Sequence, residues 1–504
     1  MKRNYFLLSI IAVSALLVRL YRIAEYNFWY DESLHILSAK QMSFDLTGKS
    51  WFSNFPPFFD FLLKLWMKLG EGEFILRLLP LLFSMAALGV VFLLGKRLFD
   101  FRTGVVATLI IAFMPFQIYY AQDLGPYSLY QFLCLLSLYL LVKFLSDDKK
   151  IALVYFIAFI NLIAMYTHYL AGLFIVTQTI YLLLVKYRNR RVVIHWFLAH
   201  LIFLSAFLPH FAAACQTFGR YRASVFNYGQ SINFQTIFSI FSNFLFGYHN
   251  VKQFVYVGGG VLLVYLLAGG VLIKQQSKRI LFIVIITFPF LLSLILFQQY
   301  MVLLPRYFIW LSPFVYLLLS RFLIRGNIVT VKVVLGAVLI VGCAISLPRY
   351  YDNSVIAEKE LRYGVFPKLK FKDSIKLIED NLKPDDAIVH ASMFTYRSFQ
   401  VYRGKIEPRE FRVYLPGNTR WKGDLGGYSN YKVQMPKEPL SVDNSFIPVD
   451  ISTLKNKYRR VWFVTLSEAT EFYEKKRWFQ ENMYFVKSFH KDSVEVSLFK
   501  RRQE

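Results

Sequence analysis

Asp31 and Glu32 lie in the stretch Trp29-Tyr30-Asp31-Glu32-Ser33-Leu34-His35, a few residues beyond the first long apolar segment. Adjacent carboxylates beside a membrane surface suit a reaction in which an acceptor hydroxyl gives up its proton. A base within hydrogen-bond reach contributes about 10²–10⁴-fold to such a step. Asp31 is the candidate base, with Glu32 as second choice or orienting partner; the plain alternative is a solvated pair marking the end of a span. Residues 1–347 hold eleven carboxylates, none between Asp148 and Asp352. Carboxylate chemistry therefore has to be built near the N-terminus.

Asp123, in Tyr119-Tyr120-Ala121-Gln122-Asp123-Leu124-Gly125-Pro126-Tyr127, is a second acid suited to holding an acceptor, a sugar hydroxyl or a metal. Its structural alternative is a helix cap, since Pro126 can open a helix behind Asp123 or Gly125. His168 and Tyr169 are candidates for contact with a substrate hydroxyl or phosphate. Arg19, Arg22, Arg77 and Arg306, the last followed by Tyr307 in Leu304-Pro305-Arg306-Tyr307, are candidates for phosphate, the arginines being basic where the charge pattern of the loops disfavours basic residues. A guanidinium binds a phosphate leaving group bidentately and stabilises its developing charge, whereas snorkelling to the interface is the bland reading. His35, four residues after Asp31, shares its helical face, so a divalent metal at His35 or Asp123 is compatible with the sequence, though two ligands do not make a site. No other cofactor is called for.

These residues must be positioned by membrane helices. The chain has 504 residues, 56% of them hydrophobic, and a mean hydropathy of +0.41, which excludes an ordinary soluble enzyme. Apolar runs long enough to cross a bilayer are read at about 5–24, 74–95, 104–121, 127–145, 151–167, 170–187, 192–213, 254–273, 280–297, 307–324 and 328–347. Lys and Arg gather in alternate loops (Lys96, Arg97 and Arg102, then Lys149 and Lys150, then Lys186 to Arg191), and the loops near 122–126 and 167–169 have none. The positive-inside bias then places the N-terminus in the cytoplasm and the C-terminal domain outside. No small-residue cleavage site follows the first span, so it is read as retained. Cys134 and Cys343 fall in expected spans and Cys215 just past the end of another, and residues 348–504 have no cysteine, leaving no disulfide framework for the external part. A bacterial inner membrane fits. The net charge of +26 is dispersed, 29 basic against 11 acidic residues in 1–347 and 29 against 21 in 348–504. That suits anionic lipid head groups and phosphates, not nucleic acid.

The expected architecture is a mainly α polytopic membrane domain over 1–347 and a small external α/β domain over 348–504. In the first outer loop (25–73), Phe58, Phe61, Leu62, Leu65, Trp66 and Leu69 share one helical face, with Asp60, Lys64 and Lys68 opposite. This reads as a helix lying in the interface, and Ser33–Gln41 as another short one. A second long outer loop covers 214–253 and includes Gly219-Arg220-Tyr221-Arg222. Beyond 350, a helix at 373–381, strands at 387–390 and 460–466, a helix at 468–481 and a hairpin over 484–499 make an α/β pattern.

In this order the motifs resemble the GT-C type membrane glycosyltransferases, above all the family 39 group of protein O-mannosyltransferases and bacterial aminoarabinose transferases of lipid A. The resemblance covers about 1–350 and rests on Tyr30-Asp31-Glu32, Pro56-Pro57, Ala121-Gln122-Asp123 through Pro126-Tyr127-Ser128-Leu129, Thr167-His168-Tyr169 and Pro305-Arg306-Tyr307. It implies transfer of a sugar from a polyprenyl-phosphate donor to a lipid, glycan or protein acceptor on the outer face, with Asp31 as base and Asp123 as the second-loop acid. Membrane lipids and a monomeric state complete the expectation. Two positions depart from the family's pattern: Gly125 precedes the proline where relatives often carry Arg, and Phe55 precedes Pro56-Pro57 where His or Lys is usual.

Two other classes compete. A transporter or flippase of lipid-linked or anionic solutes would fit the spans, but ion-coupled transporters place ionisable groups mid-membrane, and no expected span carries a mid-bilayer carboxylate. A scaffold binding a partner through its external domain is the third.

Overall fold

The computed structural model describes residues 2–42, 56–146, 150–212, 215, 234–247, 273–297, 304–352, 370–391, 393–402, 410–414, 420–421, 431–432, 448–450, 454, 457–466, 470–491 and 494–502. The expected span over 254–272 and the basic stretch Gly219-Arg220-Tyr221-Arg222 lie outside these. The first helices are α1 (Lys2–Leu20), α2 (Tyr30–Gln41), α3 (Phe58–Trp66), α4 (Glu73–Leu98), α5 (Phe101–Phe113), α6 (Pro115–Ala121) and α7 (Tyr127–Ser146). There follow α8 (Ala152–Thr167), α9 (Ala171–Lys186), α10 (Arg190–Ser205), α11 (Phe234–Phe246) and α12 (Gln276–Phe297). A 3-10 helix, Pro305–Leu311, leads into α13 (Ser312–Arg325), then α14 (Val329–Tyr351). Two compact units result: Met1–Ile23 with Ser43–Thr217 and Gly229–Ile356, and Ala24–Met42 with Phe218–Tyr228 and Ala357–Glu504.

The first unit is helical. Among the described residues, five helices are long and apolar enough to cross a membrane: Glu73–Leu98, Tyr127–Ser146, Gln276–Ser293, Pro305–Arg325 and Val329–Tyr351. The pair α5–α6 makes a sixth, and Tyr5–Leu20, Ala152–Thr167 and Ala171–Lys186 are shorter apolar helices. Eleven crossings were expected, and one of them, 104–121, is not a straight span. It is bent by 66° between Phe113 and Pro115, because a proline has no N–H to continue the ladder and instead opens a new helix. Helix α4 packs on α5 and α7. The approach to α5 is close because Gly95 faces Gly104: a Cβ on Gly95 would lie 2.6 Å from the Gly104 Cα. Apolar surroundings give polar side chains no water, so they pair with one another. Ser137 of α7 donates to Asn161 of α8 (2.7 Å), Asn161 to Gln178 of α9 (2.9 Å), and Gln178 back to Ser137 (2.9 Å).

Helix α3 forms where the sequence puts it, but docks by Phe59, Asp60 and Leu63. Asp60, expected on a solvated face, is buried. Leu65 and Leu69 are exposed, which leaves part of the apolar stripe facing outward as an interfacial helix requires. Asp100 also has a structural use: it caps α5 through the Thr103 N–H (2.9 Å) and pairs with Arg321 (2.8 Å).

The second unit is α/β. Its elements are α2, α15 (Phe371–Asn381), β1 (Asp386–His390), α16 (Met393–Tyr402), β2 (Glu410–Tyr414), β3 (Arg420–Trp421), β4 (Tyr431–Lys432), β5 (Pro448–Asp450), β6 (Arg460–Leu466), α17 (Thr470–Asn482), β7 (Tyr484–Lys491) and β8 (Val494–Lys500). The main sheet runs β5-β2-β1-β6-β8-β7, with β3 and β4 paired separately. Strands β5, β2, β1 and β6 are parallel, and β8 is antiparallel to both β6 and β7. Central β1 is buried throughout, as a strand covered on both faces must be. Ala387, Val389, Val461 and Phe463 pack with Phe479 and Phe499 on one face. Ile388, Trp462 and Val464 pack with Phe371, Ile375 and Phe399 on the other. The strands at 387–390 and 460–466 and the terminal hairpin match the sequence reading; α16, β2 and β5 were not read.

His390, the last residue of β1, is fully buried between Tyr396 and Phe399, with no hydrogen-bond partner among the described residues for either ring nitrogen. Burial pushes its imidazole down to about 3, while an unfolded histidine titrates near 6.5. The unfolded chain therefore takes up a proton that the folded domain refuses. The stability held above about pH 6.5 is lost progressively as pH falls toward 3. Thermal unfolding followed from pH 7 to pH 4 should show the midpoint falling, and His390→Phe should flatten that dependence. An equal slope in the variant would clear His390 of the effect.

Candidate active site

The candidate residues divide between the units. In the second unit, Asp31, Glu32 and His35 lie on α2. Trp29 is the N-cap, and Glu32, three positions later, accepts the Trp29 N–H through Oε2 at 3.1 Å. This is the reciprocal half of a capping box, and Glu32 is fully buried in doing it. Asp31 is half-buried in the same first turn, where the helix dipole favours negative charge. His35 lies one turn further and is also half-buried. The adjacent acids thus separate: one holds the helix start, the other occupies its rim.

In the first unit, the chain between α6 and α7 carries Asp123. Gln122 fixes this turn, its amide donating to the carbonyls of Arg19 (2.7 Å) and Tyr21 (2.8 Å) and accepting from the Tyr350 hydroxyl (2.5 Å). Ser128 closes it by donating to the Tyr120 carbonyl (2.7 Å). Asp123 is buried and rests against Gly125, where a Cβ would come within 3.2 Å of its Oδ2 and 3.5 Å of the Tyr127 ring. The lack of a side chain at Gly125 therefore makes room for the carboxylate.

Tyr127 leads to the other candidates. The Arg306 guanidinium lies over its ring at 5.4 Å and over Tyr307 at 5.9 Å. His168, just after α8, stacks on Tyr130 at 4.7 Å, with Tyr127 and Tyr307 each at 5.8 Å. Burial among these rings, and then the Arg306 cation, pushes the His168 imidazole down to about 3. Its Nδ1 accepts the Leu170 N–H at 3.3 Å, which assigns the proton of the neutral ring to Nε2. The 3-10 helix bearing Arg306 is held by buried Phe308 and Trp310 and by Gln131, which donates to the Ile309 carbonyl at 2.9 Å. A guanidinium, a neutral imidazole N–H and phenols make a donor set for a phosphate. Tyr127 and Tyr130 were not singled out from sequence. Their signal is three-residue spacing at a helix start behind Pro126, which places both on one face.

The remaining candidates go elsewhere. The Tyr169 hydroxyl meets His210 Nε2 at 2.9 Å. Arg22, in the left-handed region at φ 56°, pairs with Asp352 at 2.7 Å. Arg77 donates to the Ile23 carbonyl at 2.8 Å. Arg19 is fully buried and donates to Ser84 Oγ (3.1 Å) and to the carbonyls of Ala15 (3.1 Å), Ala112 (2.7 Å) and Ile111 (3.2 Å). It thereby satisfies backbone acceptors freed by the α5–α6 break. Arg19→Met should cost about 3 kcal/mol, since the abandoned carbonyls keep their desolvation penalty. Thermal unfolding in detergent measures this. An unchanged midpoint with weakened binding of polyprenyl phosphate would return Arg19 to a phosphate role. Among the described residues no three His, Cys, Asp or Glu side chains form a metal-binding group.

Residues 54–212 match the family model of dolichyl-phosphate-mannose-protein mannosyltransferases. Across the whole fold, similar solved structures include ArnT from Cupriavidus metallidurans without ligand, at 13% identity over 97% of each chain and a TM-score of 0.60. The same enzyme bound to undecaprenyl phosphate gives 14%, 97% of each and 0.59. The chain shares the fold of ArnT. The fold is also shared with the archaeal oligosaccharyltransferase AglB from Archaeoglobus fulgidus, solved with an inhibitory peptide and a dolichol-phosphate, at 10% identity over 99% of this chain and 75% of that one and a TM-score of 0.53. Comparison of the chain with curated proteins finds no match.

Proposed function

We propose that the protein transfers a sugar from a polyprenyl-phosphate donor to an acceptor hydroxyl of a lipid, glycan or protein on the extracytoplasmic face. The observation that carries this reading is the Arg306 guanidinium grouped with Tyr127, Tyr307 and neutral His168, an arrangement suited to the lipid phosphate, in a fold shared with a protein crystallised with undecaprenyl phosphate. Asp31 removes the acceptor proton as the acceptor oxygen bonds to the anomeric carbon. The bond from that carbon to the phosphate oxygen breaks, and polyprenyl phosphate leaves with the electron pair. Arg306 and the His168 Nε2–H stabilise the charge appearing on the departing oxygens. A single displacement inverts the anomeric centre. Asp123 holds the reacting sugar or acceptor through its hydroxyls.

The test uses the purified protein with a polyprenyl-phosphate sugar labelled in the sugar. Transfer of label to an envelope lipid or glycan acceptor supports the reading. Movement of the intact donor between leaflets without cleavage would establish a flippase instead. Mass spectrometry of envelope lipids and glycans with and without the gene identifies the acceptor.

A further inference from the structure

The segment just before Asp31 is held by residues more than three hundred positions away. Helix α15 has Lys370 at its N-cap position, and that side chain makes no capping bond. The Lys372 N–H instead donates to Asn27 Oδ1 at 2.9 Å. Asn27 thus does from a distance what an N-cap residue normally does locally, and it is buried. At the next residue, the Phe28 N–H donates to the Tyr402 hydroxyl oxygen at 2.6 Å, and the two rings stack at 5.8 Å with 13° between their planes. The Lys372 ammonium lies 5.2 Å over the Tyr402 ring. One residue further, the Trp29 N–H is taken by Glu32. Helix α2 itself packs along α16, the helix that Tyr402 ends. Three successive residues ahead of Tyr30 and Asp31 therefore have a polar group fixed, two of them by the C-terminal domain.

We propose that the C-terminal domain positions the acidic helix, with Asn27 and Tyr402 as positioning residues for Asp31. This rests on the reading of Asp31 as base. A general base works only within hydrogen-bond reach of the proton it takes, and a displacement of about 1 Å costs on the order of 10²-fold. A helix start is located by what caps it, so loosening residues 27–29 moves Asp31 without touching it. The domain is then part of the catalytic apparatus, not an appended module.

The test compares Tyr402→Phe, which keeps the stacked ring and loses the acceptor oxygen, with Asn27→Ala and its rescue Asn27→Asp. The expected result is a fall in kcat of about tenfold or more with the KM for the polyprenyl-phosphate donor unchanged, and recovery in Asn27→Asp. Placed on Asp31→Asn, Tyr402→Phe should produce no further loss. Amide exchange should accelerate over residues 28–33. A lower unfolding temperature with kcat intact, or losses that multiply in the double variant, would overturn the proposal. If the wild-type protein transfers no sugar, the functional reading fails on its own. Exchange then decides the clamp, and unaltered protection at 28–33 in Tyr402→Phe and Asn27→Ala refutes it.

Discussion

Asp31→Asn should leave α2 folded and lower sugar transfer by about 10²–10⁴-fold, the contribution of a positioned base. The substitution preserves size and removes only the capacity to accept the proton. Helix α2 should survive it, because the cap is provided by Glu32 on the Trp29 N–H and the buried face is Glu32, Ser33, Ile36 and Ala39. Turnover of a sugar-labelled polyprenyl-phosphate donor measures the loss, alongside circular dichroism and the affinity for unlabelled polyprenyl phosphate, both expected to be retained. Full turnover in Asp31→Asn would remove this residue from the base role and, with it, the acid–base part of the mechanism.

Arg306→Ala should lower kcat by about 10²–10³-fold, the cost of deleting one donor aimed at developing charge. Arg306→Lys should recover only part of this, since an ammonium keeps the charge without the planar fork that matches two phosphate oxygens. Neither change should unfold the 3-10 helix, whose hold on the unit comes from Phe308, Trp310 and the Gln131 bond to Ile309. An independent readout is His168. Arg306 is the second cause of its depressed basicity, after burial, so removing the cation should raise the imidazole from about 3 without restoring it to 6.5. A snorkelling arginine would leave kcat and His168 where they are.

Several elements were legible because local chemistry decides them. Apolar runs such as 127–145 and 151–167 had only one way to satisfy their backbone, and α7 and α8 lie there within a residue or two. Strand β6 could be read from an unbroken apolar run. The misreadings arose where a distant partner outweighed local pattern. The amphipathic stripe of α3 was seen, but not that Asp60 would be drawn into the packed face. Arg19 has the charge for a phosphate, and nothing in the sequence signalled that it also meets carbonyls at 111 and 112 that a broken helix exposes. The split between Asp31 and Glu32 depends on which falls at the third position of the helix, and the sequence had begun that helix near Ser33 instead of Tyr30. Helix α16 is buried from Thr395 to Gln400, so it has no polar face to give a period, and α2 covering it is hundreds of residues upstream.

That long-distance capping of α15 has a practical corollary for hybrids made between proteins of this fold. A graft cut at the start of the soluble part would separate the Lys372 amide from Asn27 and Phe28 from Tyr402. Residues 24–42 and the tail from 357 onward should be swapped together as one inheritance unit, whereas the intervening helices can come from another parent.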